Sequence, residues 1–353
     1  MLKFLKEYIE KEPLKRITYA EYMKQALYHP QYGYYMKEQS KIGREGDFIT
    51  TSNISDIYGR SLAKWFYKKA IEWNLPFGVC EIGAGTGRFA KAFIDEWRLI
   101  SSKPIHYYIL EESPYHQKLQ KEILTGDEVR QIKSLEEITP FEGLIFSNEL
   151  YDAFPVHVIE NHEGQLMEVM ITFKNNQLVE IVEPLENDEI LRFLKIYGVQ
   201  LNNRQRIEIP IQMEAMVSAI AKALLRGAVL TVDYGYTNEE WMDPGRRDGS
   251  LRGYYKHQQV NNVLERPGEM DMTSHVHFDP FIKMGNQEGL QFVNKWRQDE
   301  FLLTTGILDE LQENYDPNPF SAVSKRNRAI RSLILPGGMS SSFHVVLQQK
   351  GNI

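Results

Sequence analysis

A doubly wound α/β fold is what this sequence predicts, and three observations carry the prediction. Strand-like and helix-like periodicities alternate from Phe77 to about Leu150, the signature of successive βαβ units. The stretch from Val79 to Gly87 reads V-C-E-I-G-A-G-T-G, an apolar run that ends in an acidic residue and then three glycines at alternate positions. Phe89, Ala90, Ala92, Phe93 and Trp97 follow at helical spacing, which makes strand, tight glycine turn and helix. Glu111, lastly, closes the next apolar run, Ile105 to Leu110.

In chain order, residues 1–75 read as a helical cap. Leu2, Leu5 and Ile9 share one face of an amphipathic helix. Thr18 and Glu21 form a capping box for a second helix, which His29-Pro30 stops. Residues 31–36 are aromatic and glycine-broken, residues 43–52 polar and hydroxyl-rich, and a third helix then carries Ile57, Leu62, Trp65, Phe66 and Ile71.

Residues 76–353 form the α/β domain, with strands expected at 78–82, 105–110, 129–133 and 143–147. Residues 156–182 read as hairpin strands with turns at His162-Glu163-Gly164 and Asn175-Asn176, and a helix near 189–197 follows. The segment 156–209 is therefore a hairpin-and-helix insertion. Pro210 opens a helix to Leu225, Gly227 stops it, and 228–232 is a core strand. The polar, weakly periodic stretch 236–289 has the length of a lid or binding loop. The last strands, 290–295 and 343–349, flank a helix at 299–313.

With 353 residues, 42% of them apolar and 12% aromatic, the chain can bury a sizeable core. Its net charge of −7 argues against general affinity for nucleic acid. No apolar run approaches the roughly 20 residues that span a bilayer. The N-terminus, acidic and without a small-residue cleavage site, reads as a helix and not a leader. Cys80, the single cysteine, excludes an intrachain disulfide and suits a cytoplasmic, reducing compartment; a small buried strand residue is the expected role.

The glycine turn lets a ligand lie against bare backbone. A dinucleotide site needs G-x-G-x-x-G with a pyrophosphate at the helix N-terminus, but here the third glycine, Gly87, comes one position early and Arg88 takes its place. Glu81 would face that pyrophosphate at a cost. The same carboxylate suits a ligand with an ammonium group and a sulfonium centre, and S-adenosyl-L-methionine (SAM) is such a ligand. Glu111 stands where a carboxylate accepts the two ribose hydroxyls of an adenosine, a feature nicotinamide and SAM cofactors share. The cofactor residues are thus Glu81, Gly83, Gly85, Gly87 and Glu111.

Residues 147–156, S-N-E-L-Y-D-A-F-P-V, follow the fourth strand, beyond whose carboxyl end the ligand crevice of an open sheet lies. Asn148, Glu149 and Asp152 are therefore expected near the methyl group of a cofactor on the turn. Carboxylates there would hold a cationic acceptor such as a guanidinium. For Asp152 a helix-start role, favoured by the helix dipole, stands equally open. His275 and His277 are two apart, but no further Cys/His cluster completes a metal site and no metal is expected. His275 has two readings, a proton acceptor from substrate or a histidine bonding loop backbone.

These segments, in this order, resemble the MidA family of SAM-dependent methyltransferases, whose mitochondrial member is an assembly factor for respiratory complex I. The resemblance rests on Y-G-Y-Y-M at 32–36, G-D-F-I-T-T at 46–51, E-I-G-A-G-T-G at 81–87, S-N-E-L-Y-D-A-F-P-V at 147–156, V-D-Y-G-Y at 232–236, G-S-L-R-G-Y at 249–254 and D-M-T-S-H-V-H-F at 271–278. It implies a class I methyltransferase fold, Rossmann-like, with a mostly parallel sheet of seven strands, an N-terminal helical cap and a lid. It also implies N-methylation of arginine in a protein substrate, with Asp47 and Thr50 of the cap added to the cofactor residues. Family members read Pro-Glu where this chain has Ser52-Asn53, so the acceptor here is open to difference. The rivals are a non-catalytic assembly chaperone on a SAM-binding fold, a nicotinamide oxidoreductase, and a methyltransferase acting on a small molecule or RNA.

Overall fold

The computed structural model describes residues 1–38, 56–312, 318–319, 321–335 and 342–353. Helix α1 (Leu2–Lys11), strand β1 (Arg16–Thr18) and α2 (Tyr19–Tyr28) precede α3 (Ile57–Glu72). Then come β2 (Gly78–Ile82), α4 (Arg88–Ile100), β3 (His106–Leu110), α5 (Pro114–Ile123), β4 (Val129–Ile132) and β5 (Phe141–Asn148). Strands β6 (His157–His162), β7 (Gln165–Lys174) and β8 (Gln177–Pro184) lead to α6 (Asp188–Tyr197), β9 (Arg206–Ile209), α7 (Gln212–Ala223) and the long β10 (Leu224–Tyr236). After the short α8 (Asn238–Trp241) come β11 (Arg252–Tyr255), β12 (Gln258–Val260), β13 (Asp271–Thr273), β14 (Val276–His277) and α9 (Phe278–Gln287). The chain ends with β15 (Gln291–Arg297), α10 (Gln298–Thr304), α11 (Ala322–Ile334) and β16 (Phe343–Lys350).

Contacts divide the chain into two units, one of Met1–Phe48, Tyr151–Val217 and Gly235–Met284, the other of Ile49–Leu150, Ser218–Tyr234 and Gly285–Ile353. In the second, the α/β unit, the strand order is β15-β16-β10-β5-β2-β3-β4. Strands β10, β5, β2, β3 and β4 run parallel, while β16 is antiparallel to both β10 and β15. Every residue of β2 is buried, as a central parallel strand covered on both faces requires. Phe66 of α3 packs on Phe93 and Trp97 of α4, with ring centroids 6.5 and 5.9 Å apart.

Two expectations change here. Helix α3, read from the sequence as part of the cap, belongs to this unit, and Ile71 on its supposed apolar face is 57% exposed. Gly227 ends no helix. It lies inside β10 at φ 147°, and a Cβ there would strike the Gly143 carbonyl of β5. A glycine admitting close approach of two strands has the same sequence appearance as a helix stop.

The first unit carries an antiparallel sheet in the order β1-β7-β6-β9, with β8 on the other edge of β7. Left-handed backbone at Glu163 (φ 55°), Asn175 (φ 50°) and Asn176 (φ 61°) closes its hairpins where the turn residues stand. The capping box of Thr18 and Glu21 forms at the start of α2. Leu5, Ile9, Tyr22, Met23 and Leu27 share one core with Val158, Val169 and Ile171, so the N-terminal helices and the hairpins are one folding unit. Leu2 is the exception, 43% exposed.

The stretch expected to be a lid is largely ordered into a three-stranded sheet, β12-β11-β13, with β14 and α9 beyond it. Strands of two to four residues carry too few alternations to show a period. Val276 and His277 (β14) pair with Gly235 and Tyr236 at the end of β10, and with them the main sheet counts eight strands where seven were expected. Among the described residues no helix is long and apolar enough to cross a membrane.

Candidate functional site

The glycine turn joins β2 to α4 with Gly83, Gly85 and Gly87 at φ 74°, 53° and 79°, a conformation L side chains rarely adopt. The Gly83 N–H donates to the Leu110 carbonyl at 2.9 Å, which ties the turn to the end of β3. Glu111, one residue on, accepts the Gly85 N–H on Oε2 at 2.8 Å and the Ser113 N–H on Oε1 at 2.9 Å. Each carboxylate oxygen has a second lone pair, so both remain able to accept a ribose hydroxyl. The turn and its acidic partner are thus tied together by hydrogen bonds.

Glu81 is 4% exposed in β2 and accepts the Tyr107 hydroxyl at 2.6 Å. Burial, then the neighbouring Glu111 charge, pushes its carboxyl up to about 8. A buried carboxyl so disfavoured as an anion regains its charge beside a cation, and the ammonium of a methionine is one. Cys80 beside it is buried and its thiol is pushed up to about 12, so it is the inert strand residue expected.

At the carboxyl end of β5, Glu149 lies in left-handed backbone at φ 51°. Its N–H donates to the Val232 carbonyl at 2.8 Å, and its Oε1 accepts the Asn148 side-chain amide at 2.9 Å. The Asn148 Oδ1 is buried and meets no hydrogen-bond partner among the described residues. A glutamate held in a strained conformation at a strand's end is a frequent mark of a functional position. Tyr58 of α3 lies close enough that the Glu149 charge adds to the rise burial causes in its hydroxyl.

Asp152 and His275 belong to the other unit. Asp152 is 2% exposed; its carbonyl accepts the Ser274 N–H at 2.8 Å, and its charge helps raise Tyr35 and Tyr254. His275 lies parallel to Tyr236 at 4.6 Å, and its backbone N–H donates to Ser250 Oγ at 2.9 Å. Ser250 donates in turn to Glu208 at 2.7 Å, and the same carboxylate accepts the Ser250 and Leu251 N–H groups at 2.9 and 3.1 Å. Burial, with Arg252 and Arg246 nearby, pulls the His275 imidazole down to about 4, which makes it a weak base at neutral pH.

His277 donates through Nε2 to the Glu208 carbonyl at 2.7 Å and stacks on Trp241, a structural position. No group of metal-binding side chains occurs among the described residues. Asp47, Thr50 and the Ser52-Asn53 departure lie outside the described residues.

Sequence reasoning passed over Tyr107, Gln120 and Glu208. Gln120 of α5 donates to the Gly85 carbonyl at 2.8 Å. Its signal was legible: a glutamine at an inward position of a helix of moderate amphipathicity. Tyr107 and Glu208, lying within strand-like runs, gave none.

Residues 61–295 match the family described as "Putative S-adenosyl-L-methionine-dependent methyltransferase". The chain belongs to this family. Protein arginine methyltransferase NDUFAF7, mitochondrial, of Danio rerio is 26% identical over 368 residues, covering 93% of this chain and 82% of that protein. The Homo sapiens protein of the same name is 25% identical over 332 residues, covering 82% and 70%. In three dimensions the chain is similar to a superfamily member from Burkholderia thailandensis whose crystal structure holds S-adenosyl-homocysteine, with a TM-score of 0.89, 26% identity, and coverage of 100% of this chain and 92% of that one. This methyltransferase therefore has a class I fold and takes SAM as its cofactor, which supplies an electrophilic methyl group when bound. Left-handed glycines beside the Glu111 carboxylate, and a buried acid at Glu81 that a neighbouring cation would ionise, fit that molecule.

Proposed function

We propose that this methyltransferase acts on arginine nitrogen in a protein substrate. The observation that carries the reading is Glu149, a carboxylate held by Asn148 in strained backbone at the end of the strand next to β2. A guanidinium is planar and pairs with a carboxylate through two parallel hydrogen bonds, which orients one nitrogen for in-line attack. The arginine specificity in the names of the Danio and human relatives supports the same acceptor.

In this reading Glu111 binds the ribose and Glu81 orients the methionine ammonium. The glycine turn, together with Asn148, Asp47 and Thr50, completes the cofactor set. Glu149 holds the acceptor. Because a free guanidinium stays protonated up to a pKa above about 12, a proton must leave during or after attack. In this reading Glu149, the carboxylate that holds the guanidinium, is the group that receives it. A cytoplasmic location is part of the proposal; its support is the single buried cysteine, whereas the relatives' names are mitochondrial.

The test is to incubate the protein and methyl-labelled SAM with lysate from cells lacking it, then hydrolyse any labelled band. Labelled methylarginine supports the proposal. Label confined to small molecules, or found on another amino acid, removes it.

A further inference from the structure

Helix α5 buries two side chains, His116 and Gln120, and both are polar. A helix that buries an amide in place of hydrocarbon is destabilised unless each polar atom is met. Gln120 is 1% exposed, and both ends of its amide are engaged. Its Nε2 donates to the Gly85 carbonyl at 2.8 Å, and its Oε1 accepts the Gln131 side-chain amide at 2.8 Å. Gln131 in turn donates to the Gln117 carbonyl at 2.9 Å. With the Gly85 N–H held by Glu111, the peptide groups on both sides of Gly85 are fixed from two different elements.

The third glycine fits the same arrangement. A Cβ on Gly87 would lie 3.0 Å from Gln120 Cγ and 3.3 Å from Leu124 Cδ1. Gly87 thus makes room for the glutamine stem, which accounts for a third glycine placed one position earlier than a dinucleotide site requires.

We propose that Gln120 is a positioning residue for cofactor binding, with Gln131 as its orienting partner. Three glycines in one turn leave the backbone many conformations, and only the ordered one presents its surface to the nucleoside. Fixing that conformation before binding removes its ordering cost from the binding step. Gln131 determines the outcome at Gln120, because a donor delivered to Oε1 leaves the Nε2 end facing Gly85.

Gln120→Met keeps the length of the side chain and removes its donor and acceptor. The dissociation constants of SAM and of S-adenosyl-homocysteine, measured by calorimetry, are expected to rise together by about tenfold, the worth of one net hydrogen bond. The KM for SAM should follow, with kcat at saturating SAM within about twofold, since the amide does not act on the reacting groups. Gln131→Leu, one bond further out, is expected to weaken both ligands by about threefold. A lower melting temperature with unchanged dissociation constants would overturn the proposal, as would a loss confined to one of the two ligands. If Gln120→Met does not fold, the half-buried Gln131→Leu decides the matter, and wild-type affinity there has the same consequence.

Discussion

Glu111 reaches back across the β2–β3 edge and accepts the backbone N–H of Gly85 at 2.8 Å. The residue expected to bind the ribose therefore also shapes the turn expected to carry the cofactor. Glu111→Ala removes charge-assisted acceptors at both places, each worth about 1.5–3 kcal/mol. SAM affinity should fall by about a hundredfold or more, with Glu111→Asp intermediate because its shorter arm reaches only in part. Titration calorimetry with both variants checks this, and unchanged affinity in the alanine variant would remove Glu111 from the site.

Gly87 and Gly164 separate two reasons for a glycine. Both have positive φ, 79° and 95°, but a Cβ at Gly164 meets nothing within 4 Å whereas one at Gly87 meets Gln120. Replacement by alanine should cost about 1 kcal/mol of backbone strain at either. Gly87→Ala should cost about 1–2 kcal/mol more from overpacking. Equal losses in denaturant melts would show that the close approach at Gly87 carries no energy.

The buried carboxyl of Glu81 should make both stability and binding pH-dependent. Its value is raised from the ordinary 4.5 to about 8, chiefly by burial. The folded chain keeps a proton there that the unfolded chain has already lost, so the stabilising contribution is full below 4.5 and disappears as pH rises to about 8. Binding has the opposite trend. The cofactor ammonium favours the ionised form, so affinity should rise with pH up to about 8 and then level off. Calorimetry at pH 7 in buffers of different ionisation enthalpy should detect proton release on binding, and Glu81→Gln should abolish it. Binding without proton release in the unmodified protein would mean that Glu81 does not meet the ammonium.

Strain at Glu149 separates stability from catalysis. Glu149→Gly relieves a left-handed conformation at φ 51° and should stabilise the fold by about 0.5–1 kcal/mol. The same change removes the carboxylate proposed to hold the acceptor, so methyl transfer should fall by about a hundredfold or more with SAM affinity near wild type. A variant that is more stable and fully active would exclude Glu149 from the chemistry.

Much of the cofactor half of this enzyme was legible in the chain. Parallel strands buried on both faces are mainly apolar runs, and turns with positive φ favour glycine, so β2, its turn and α4 are written in a row from Val79 to Trp97. The hairpins of β6–β8 were equally plain, because Glu163-Gly164 and Asn175-Asn176 accept left-handed backbone and the strands between them alternate. The place of Glu111 was legible for a local reason as well, since it follows directly on the end of β3.

What the tertiary structure alone decided concerns residues whose partners are distant in sequence. The sharing of one core by α1, α2 and the hairpins depends on β1 pairing with β7, a three-residue strand too short to show a period. The fixing of Gly85 by Gln120, separated by 35 positions, comes from packing α5 beside the turn. The low basicity of His275 is set by burial and by Arg252 of β11 and Arg246, which pattern alone does not bring near it. Backbone conformation and strand burial are properties of a residue and its immediate neighbours, and so appear as local pattern. Hydrogen-bond partnership and desolvation exist only once remote segments meet, and no local pattern encodes them.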